Sequence, residues 1–356
     1  MDDISRLPPA DLADLFRAAA ATRGLPDAIV EKDFWVCWAL KRIFTLASPP
    51  AGILFKGGTS LSKVYGVIDR FSEDVDLSFD RAGLGFGGAD DPMVAASGKK
   101  QTSAVERLAE ACTIAVREKL RPQLAEAFAA ALGTTSSWSL ESATDDVDDA
   151  TLIFRYPSAR LQSASYITPF VRLELGARAD HWPAKPGVVT PIAAEVFPQR
   201  FAAAACTVNT LAAERTFWEK ATLLHKWFHA KPERRFPDRQ SRHYYDLYRL
   251  VKSPVAESAL ADLSLLASVA AHKQVFFAQA WARYDLATPG TLRLVPADAR
   301  IKELESDYRA MGQMIFGAPP AFGELMQTLA ELERTVNAMR APRGSRRGSA
   351  SGGPLG

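Results

Sequence analysis

The sequence predicts an α+β fold, a mixed sheet packed with helices and followed by a helical C-terminal region, on three observations. The apolar run ILF at 53–55 precedes Gly57 and Gly58 and then TSLSKVYG, the pattern of strand, tight turn and short helix, with VDLSF at 75–79 as a second strand. Between residues 137 and 189 the pattern changes to alternating segments, TLIFRY and YITPFVRLELGAR, which read as antiparallel or mixed strands that complete the sheet. From Leu211 onward the chain is helical in LAAERTFWEKATLLHKWFHA, SRHYYDLYRLVK, SPVAESALADLSLLASVAAHKQ and two more segments reaching about residue 339.

Taken in order, a first helix is expected over about residues 10–22 and a second over about 27–47, each opened by an Asp or Pro signal and closed near Gly or Pro. Residues 81–100 are rich in Gly and Asp and read as an exposed loop that orders with ligand; a long helix over about 102–132 follows. The expected organisation is a core with N-terminal helices over residues 1–210 and a helical region over 211–340 that completes the active site. The Gly/Ser/Arg-rich stretch 341–356 is expected to be a disordered tail.

With 356 residues, 47% apolar and 24% charged, the chain can bury one large core or two ordinary ones. No stretch reaches the length of uncharged sequence that a membrane helix needs, and the start MDDISRLPPADL lacks the basic and apolar regions of a secretory signal. A cytoplasmic location is expected. Cys37, Cys112 and Cys206 are odd in number and widely spaced, which suits buried reduced thiols better than disulfides or a zinc site. The net charge of +2 says little about partners, but Arg and Lys cluster at residues 226–242 and in PRGSRRG. Trp227, Phe228 and Phe236 interleave with the first cluster, which reads equally as a solvated loop or as a hold for a nucleic-acid backbone.

Asp74 and Asp76 flank Val75 in an expected strand, so both carboxylates leave one face while Val75 and Leu77 take the other. Two carboxylates one strand-step apart repel, and a divalent cation relieves them; hard oxygen donors suit Mg²⁺, which also takes oxygens from a substrate phosphate. Upstream, Gly57 and Gly58 permit a tight turn, and Thr59 and Ser60 begin a short helix where N–H groups and hydroxyls can hold phosphate oxygens. Each motif alone is more often a turn, a cap or a solvated acid. Their joining in one strand–turn–helix–strand unit favours the phosphate and metal reading. In-line displacement benefits from a third carboxylate, and Glu174 in FVRLELGAR is the best placed, with an ordinary Arg172–Glu174 pair as the competing reading.

On a helical wheel of RTFWEKATLLHKWFH, residues Phe217, Ala221, Leu223, Leu224, Trp227 and Phe228 form one face, and Lys220 falls inside it; Glu219, Thr222 and Lys226 lie opposite as solvated positions. An ammonium in an apolar stripe is costly unless it is paired or its stem reaches a polar pocket. A triphosphate held at Asp74 and Asp76 would pair it; snorkelling past the edge is the alternative. Asp246 lies at the border of an apolar face, with Arg242 and Arg249 one turn either side, so a helix-surface ion pair is sufficient to explain it. His225 and His243 read as packed or hydrogen-bonded residues.

The segments EKDFW, FKGGTSLSK, RFSEDVDLSF, FVRLELGAR, RTFWEKATLLHK and RHYYDLYRL, in this order, resemble the AbiEii/AbiGii family of nucleotidyltransferase toxins over about residues 31–250. The resemblance implies a polymerase-β-like nucleotidyltransferase core with a helical C-terminal region. It also implies a toxin of a toxin–antitoxin or phage-abortive system, neutralised by a cognate antitoxin. MenT-type relatives add nucleotides, often pyrimidines, to the 3′ acceptor end of tRNA. Position by position, the resemblance implies that Gly58 and Ser60 bind phosphate, that Asp74 and Asp76 hold Mg²⁺, that Lys220 contacts nucleotide phosphates, and that Asp246 is the acid of the last motif.

The leading expectation is Mg²⁺-dependent transfer of a nucleoside monophosphate from an NTP to an RNA 3′-hydroxyl, with pyrophosphate released. Transfer to a protein or small-molecule hydroxyl uses the same core and is the second reading. The third is a non-catalytic nucleotide- or antitoxin-binding module.

Overall fold

The sheet is built on β1 (Ile53–Lys56) and β2 (Asp74–Phe79), the two strands expected on either side of the glycine turn. The computed structural model describes residues 1–134, 137–145, 150–159 and 167–339; the expected tail at 341–356 lies outside these residues. Helices α1 (Asp2–Ser5), α2 (Pro9–Arg23) and α3 (Asp27–Phe44) precede β1, and the short α4 (Gly57–Lys63) joins β1 to β2. Pro9 starts α2 and Gly24, left-handed at φ +65°, ends it, so the boundaries follow the sequence signals.

Residues 81–100 are less loop-like than expected. They hold three 3₁₀ turns, and Pro92 is buried. Ser97 caps α5 (Gly98–Ala115), which continues through a π-helical turn, Val116–Leu120, into α6 (Arg121–Leu132). Then come β3 (Ser139–Ser142), β4 (Thr151–Arg155), β5 (Phe170–Gly176), β6 (Ala184–Val189), α7 (Ile192–Val196) and β7 (Cys206–Leu211). The rest is helical: α8 (Ala213–Phe228), α9 (Ser241–Val251), α10 (Val255–Ala261), α11 (Leu263–Phe276), α12 (Ile301–Met311) and α13 (Phe322–Ala338).

The seven strands lie in the order β3-β4-β5-β2-β1-β7-β6. The β2–β5 and β1–β7 pairs are parallel, and the remaining neighbours are antiparallel. Strand β7 corrects the expectation that the sheet was complete by residue 189. Its CTVNTL alternates between buried and exposed residues and brings the chain back beside β1 immediately before α8. Edge strand β6 carries Pro186 and Gly187, residues that a central strand does not accommodate well.

Two apolar clusters result. The first joins α2, α3, α5 and α6 to the sheet, with Trp35, Trp38, Phe128 and Phe154 in mutual ring contact. The second joins the helices from α8 onward and includes Leu61 and Ile68 from the glycine-turn segment. Cys37, Cys112 and Cys206 are buried, as expected. Among the described residues no single helix is long and apolar enough to cross a membrane.

Candidate active site

Strand register sets out the first half of the site. Val75 and Leu77 are buried, and Asp74 and Asp76 leave the opposite face of β2. Asp76 stands beside Lys56 of β1 on one side and Glu174 of β5 on the other, while Asp74 stands beside Arg172. Asp74, Asp76 and Glu174 line one cavity of about 300 Å³ together with Lys56, Gly57 and Gly58. Burial, then the neighbouring Asp76, raises the Asp74 carboxyl above its ordinary range. Burial, then Asp76 and Asp74, does the same to Glu174.

Each acid leans on a different cation: Asp76 on Lys56 at 3.7 Å, Asp74 on Arg242 at 3.9 Å, Glu174 on Arg172 at 3.0 Å. Arg172 also grips Asp145 at 3.0 Å. Glu174 thus forms the expected pair with Arg172 and also stands beside Asp76 in the strand register.

The turn before α4 needs its glycines. Gly57 has φ +80°, and a Cβ there would lie 1.9 Å from Asp76 Oδ2; at Gly58 a Cβ would lie 2.6 Å from Arg70 Nη2 and 2.9 Å from Ser72 Oγ. Bare backbone thus fills the space beside the acids. The Thr59 hydroxyl donates to the Asp74 carbonyl and the Ser60 hydroxyl to the Gly57 carbonyl at 2.9 Å, and both residues are buried. Thr59 thus braces the turn against β2 and Ser60 closes it on itself, and the loop meets the cavity through Gly57 and Gly58.

Helix α3 supports this half with charges from EKDFW. Glu31 accepts the Ala159 N–H at 2.6 Å, Lys32 pairs with Glu73 at 3.2 Å directly before Asp74, and Asp33 pairs with Lys63 of α4 at 2.7 Å. All three residues are buried, and each ties α3 to a different segment of the site.

The second half comes from α8 and α9. Lys220 lines the same cavity, and its ammonium donates to Asp246 Oδ2 at 2.8 Å and to His243 Nδ1 at 3.0 Å. Asp246 is fully buried and is gripped on both oxygens by Arg70, Nε–Oδ1 2.7 Å and Nη2–Oδ2 2.9 Å. Burial works to raise the Asp246 carboxyl, but Arg70 and Lys220 outweigh it and hold the group well below the usual carboxylate range. Burial draws the Lys220 ammonium down, and Asp246 opposes that. Arg70 keeps its charge at any accessible pH, so Asp246 stays ionised. Burial, then Lys220 and Arg242, pushes His243 well below its ordinary value, so the ring is neutral and its Nδ1 accepts from the lysine.

Several expectations change here. The partner of Lys220 within the protein is Asp246. Asp246 is no helix-surface pair with Arg242 and Arg249; those arginines turn to Asp74 and Asp69 instead. Thr222 is fully buried and hydrogen-bonded to the Trp218 carbonyl, because α8 is packed on more than one side. Lys226, expected in solvent, lines the cavity. Trp227 and Phe236 are buried against one another, so these aromatics belong to the core and offer no face to a nucleic acid. His225 is packed as expected: the Arg293 N–H donates to Nδ1, which leaves Nε2–H to donate to the Arg283 carbonyl.

Sequence reasoning passed over Arg70 and Lys273. Arg70 lies in a loop, where no periodicity marks it. Lys273 carried a signal: it stands four residues after Val269 and three before Phe276, both buried, as Lys220 stands in its own stripe.

Two of the solved structures that align are distant in sequence. MenT4, a nucleotidyltransferase toxin from Mycobacterium tuberculosis H37Rv, has 13% identity and a TM-score of 0.40, covering 84% of this chain and 98% of that one. JHP933 from Helicobacter pylori has 14% identity and a TM-score of 0.39, covering 84% and 88%. Comparison with curated proteins finds no match. Residues 38–331 match the family described as nucleotidyl transferase AbiEii toxin, type IV TA system. That match takes in every strand and both halves of the cavity, and the chain belongs to the AbiEii family of nucleotidyltransferase toxins.

Proposed function

We propose that the chain transfers a nucleoside monophosphate from an NTP to the 3′-hydroxyl of an RNA, the acceptor end of tRNA, and releases pyrophosphate. The observation that carries this reading is the meeting, in one cavity, of a three-carboxylate row with a lysine held by a buried aspartate. In the reaction, the 3′ oxygen bonds to the α-phosphorus as the bond to the β-phosphate oxygen breaks. The hydroxyl proton leaves through the carboxylates to solvent.

Asp74, Asp76 and Glu174 form the hard-oxygen donor set that suits Mg²⁺, and the upward shift of Asp74 and Glu174 is the electrostatic strain that a divalent cation relieves. As placed, no three His, Cys, Asp or Glu side chains among the described residues are gathered for a metal, so the acids must turn from their cation partners toward it. Bound there, Mg²⁺ would supply neutralisation of charge on the transferring phosphoryl group. Gly57 and Gly58 give the phosphates close backbone approach, and Lys220, held in line by Asp246 and Arg70, meets their charge. As a type IV toxin, the chain acts in the cytoplasm and is matched by a cognate antitoxin.

Incubation with each labelled NTP and either bulk tRNA or total protein tests the acceptor. Label is expected in tRNA, and Asp76→Ala should abolish it while the circular dichroism spectrum is kept. Label confined to protein would replace the RNA reading with transfer to a protein hydroxyl, and unchanged labelling by Asp76→Ala would sink the role given to the acids.

A further inference from the structure

The wall of the cavity facing the sheet is made by α8 and α11, and it carries two lysines to which the reading above gives no role. Thr216, Glu219, Lys220, Leu223 and Lys226 of α8 follow one another along the cavity at helical spacing, and Lys273 of α11 enters beside them. The Lys273 ammonium donates to the Glu219 main-chain carbonyl at 2.7 Å and lies 5.9 Å from the Tyr284 ring. The Lys226 ammonium lies 5.0 Å from the Trp281 ring and 5.6 Å from that of Trp227.

Neither ammonium has a carboxylate within 4.0 Å among the described residues. The carboxylate of Glu219 is turned to Arg215 at 3.2 Å. Lys220, the third ammonium on this wall, is paired with Asp246. Two half-buried cations thus face a shared cavity with carbonyl and ring partners, and Glu219, the carboxylate that acts on Lys273, is committed to Arg215. Burial pulls Lys273 down to about 7; Glu219 opposes this, and Lys226, Lys220 and Arg215 add to it. Burial and Arg234 lower Lys226. Cations so placed call for an anion in the cavity, and one with several oxygens can meet both.

We propose that Lys226 and Lys273 form the seat of the terminal phosphates of the bound NTP and of the pyrophosphate released from it. This rests on the reading of the cavity as a nucleotide site and adds a second phosphate wall, on α8 and α11, opposite the glycine turn. The two ammonium groups hold the leaving group, and they act on binding of donor and product without touching the acceptor.

Titration calorimetry of the full chain with inorganic pyrophosphate, at pH 7 with Mg²⁺, tests the seat. The double variant Lys226→Gln/Lys273→Gln should bind pyrophosphate about tenfold or more weakly, as expected when charge-assisted contacts are lost. Its affinity for CMP, which lacks terminal phosphates, should match that of the unaltered chain. Lys273→Arg, which keeps a charge, should retain most of the pyrophosphate affinity. Should the double variant not fold, Lys226→Gln alone, at a half-buried position, must still weaken pyrophosphate by about threefold. Unchanged pyrophosphate affinity overturns the proposal. So does a loss of affinity for a single-stranded RNA oligonucleotide with pyrophosphate binding intact, since the lysines would then serve phosphodiesters. Pyrophosphate binding is read without turnover, so its loss in the variant upholds the seat even where no tRNA becomes labelled, an outcome that removes only the transfer reading.

Discussion

Gly57 is a single residue on which both backbone and chemistry depend. Its φ of +80° favours glycine, and the space where a side chain would begin is occupied by Asp76 Oδ2. Gly57→Ala combines a left-handed strain of about 1–3 kcal/mol with forced displacement of the carboxylate. Because a misplacement near 1 Å can cost about a hundredfold in rate, nucleotide incorporation should fall by at least that factor while the folded spectrum persists. Near-normal incorporation by Gly57→Ala would show that Asp76 need not stand where it does. At this scale the sequence is legible where a residue breaks a local rule. Two aspartates on the polar side of a strand and a lysine in an apolar stripe both announce themselves. Arg70 does not, because a loop has no periodicity to break and its partner Asp246 is 176 positions away.

Elements were legible when their pattern had one solvent-facing side. Helix α2 and strand β5 follow their sequence periods, whereas α3, α8 and α9 are buried on several faces, so polar residues such as Glu31, Lys32, Asp33, Thr222 and Asp246 do not mark a wet side. Only tertiary partners explain them. Strand β7 escaped notice because its short alternation sits against the alanine-rich stretch before it. Helix α8 also carries a clasp to the distant loop through His225, which bridges the Arg283 carbonyl and the Arg293 N–H. Burial is the main cause that lowers this imidazole to about 4. The unfolded chain takes up the proton near pH 6.5 and the folded one near pH 4, so the unfolded state binds more protons between these values and stability falls as pH drops through that window. The full loss is on the order of 3 kcal/mol for this residue. His272, lowered to about 3 mainly by burial, adds to the same acid limb. Thermal midpoints measured from pH 7 to pH 4 should decline, and His225→Gln should flatten part of that decline while lowering the midpoint at pH 7. An equal slope in the variant would remove the clasp from the account.

The whole molecule joins two apolar clusters across the candidate active site, and part of the junction is polar. Asp69, Arg70 and Phe71, between α4 and β2, meet the C-terminal region through Phe71 N–H to the Met314 carbonyl and Phe316 N–H to the Asp69 carbonyl, both 2.8 Å. Arg249 adds a contact to Asp69 at 2.6 Å. At the centre, Asp246 holds Arg70 from one side of the junction and Lys220 from the other. The carboxylate that holds Lys220 therefore also ties the segment between α4 and β2 to helices α8 and α9. Asp246→Asn leaves two buried cations facing a neutral amide, and removing one partner of a buried ionic group costs about 3–5 kcal/mol. The carboxyl's folded value lies below its unfolded one, so its contribution is complete above about pH 4 and is lost as pH falls toward the folded value. Calorimetry of the unaltered chain should give one unfolding transition near pH 7. The variant should melt earlier and should lack the part of the acid loss below pH 4 that Asp246 supplies. An unchanged midpoint would mean that the segment between α4 and β2 is held by its backbone and apolar contacts alone, with Asp246 serving only the lysine.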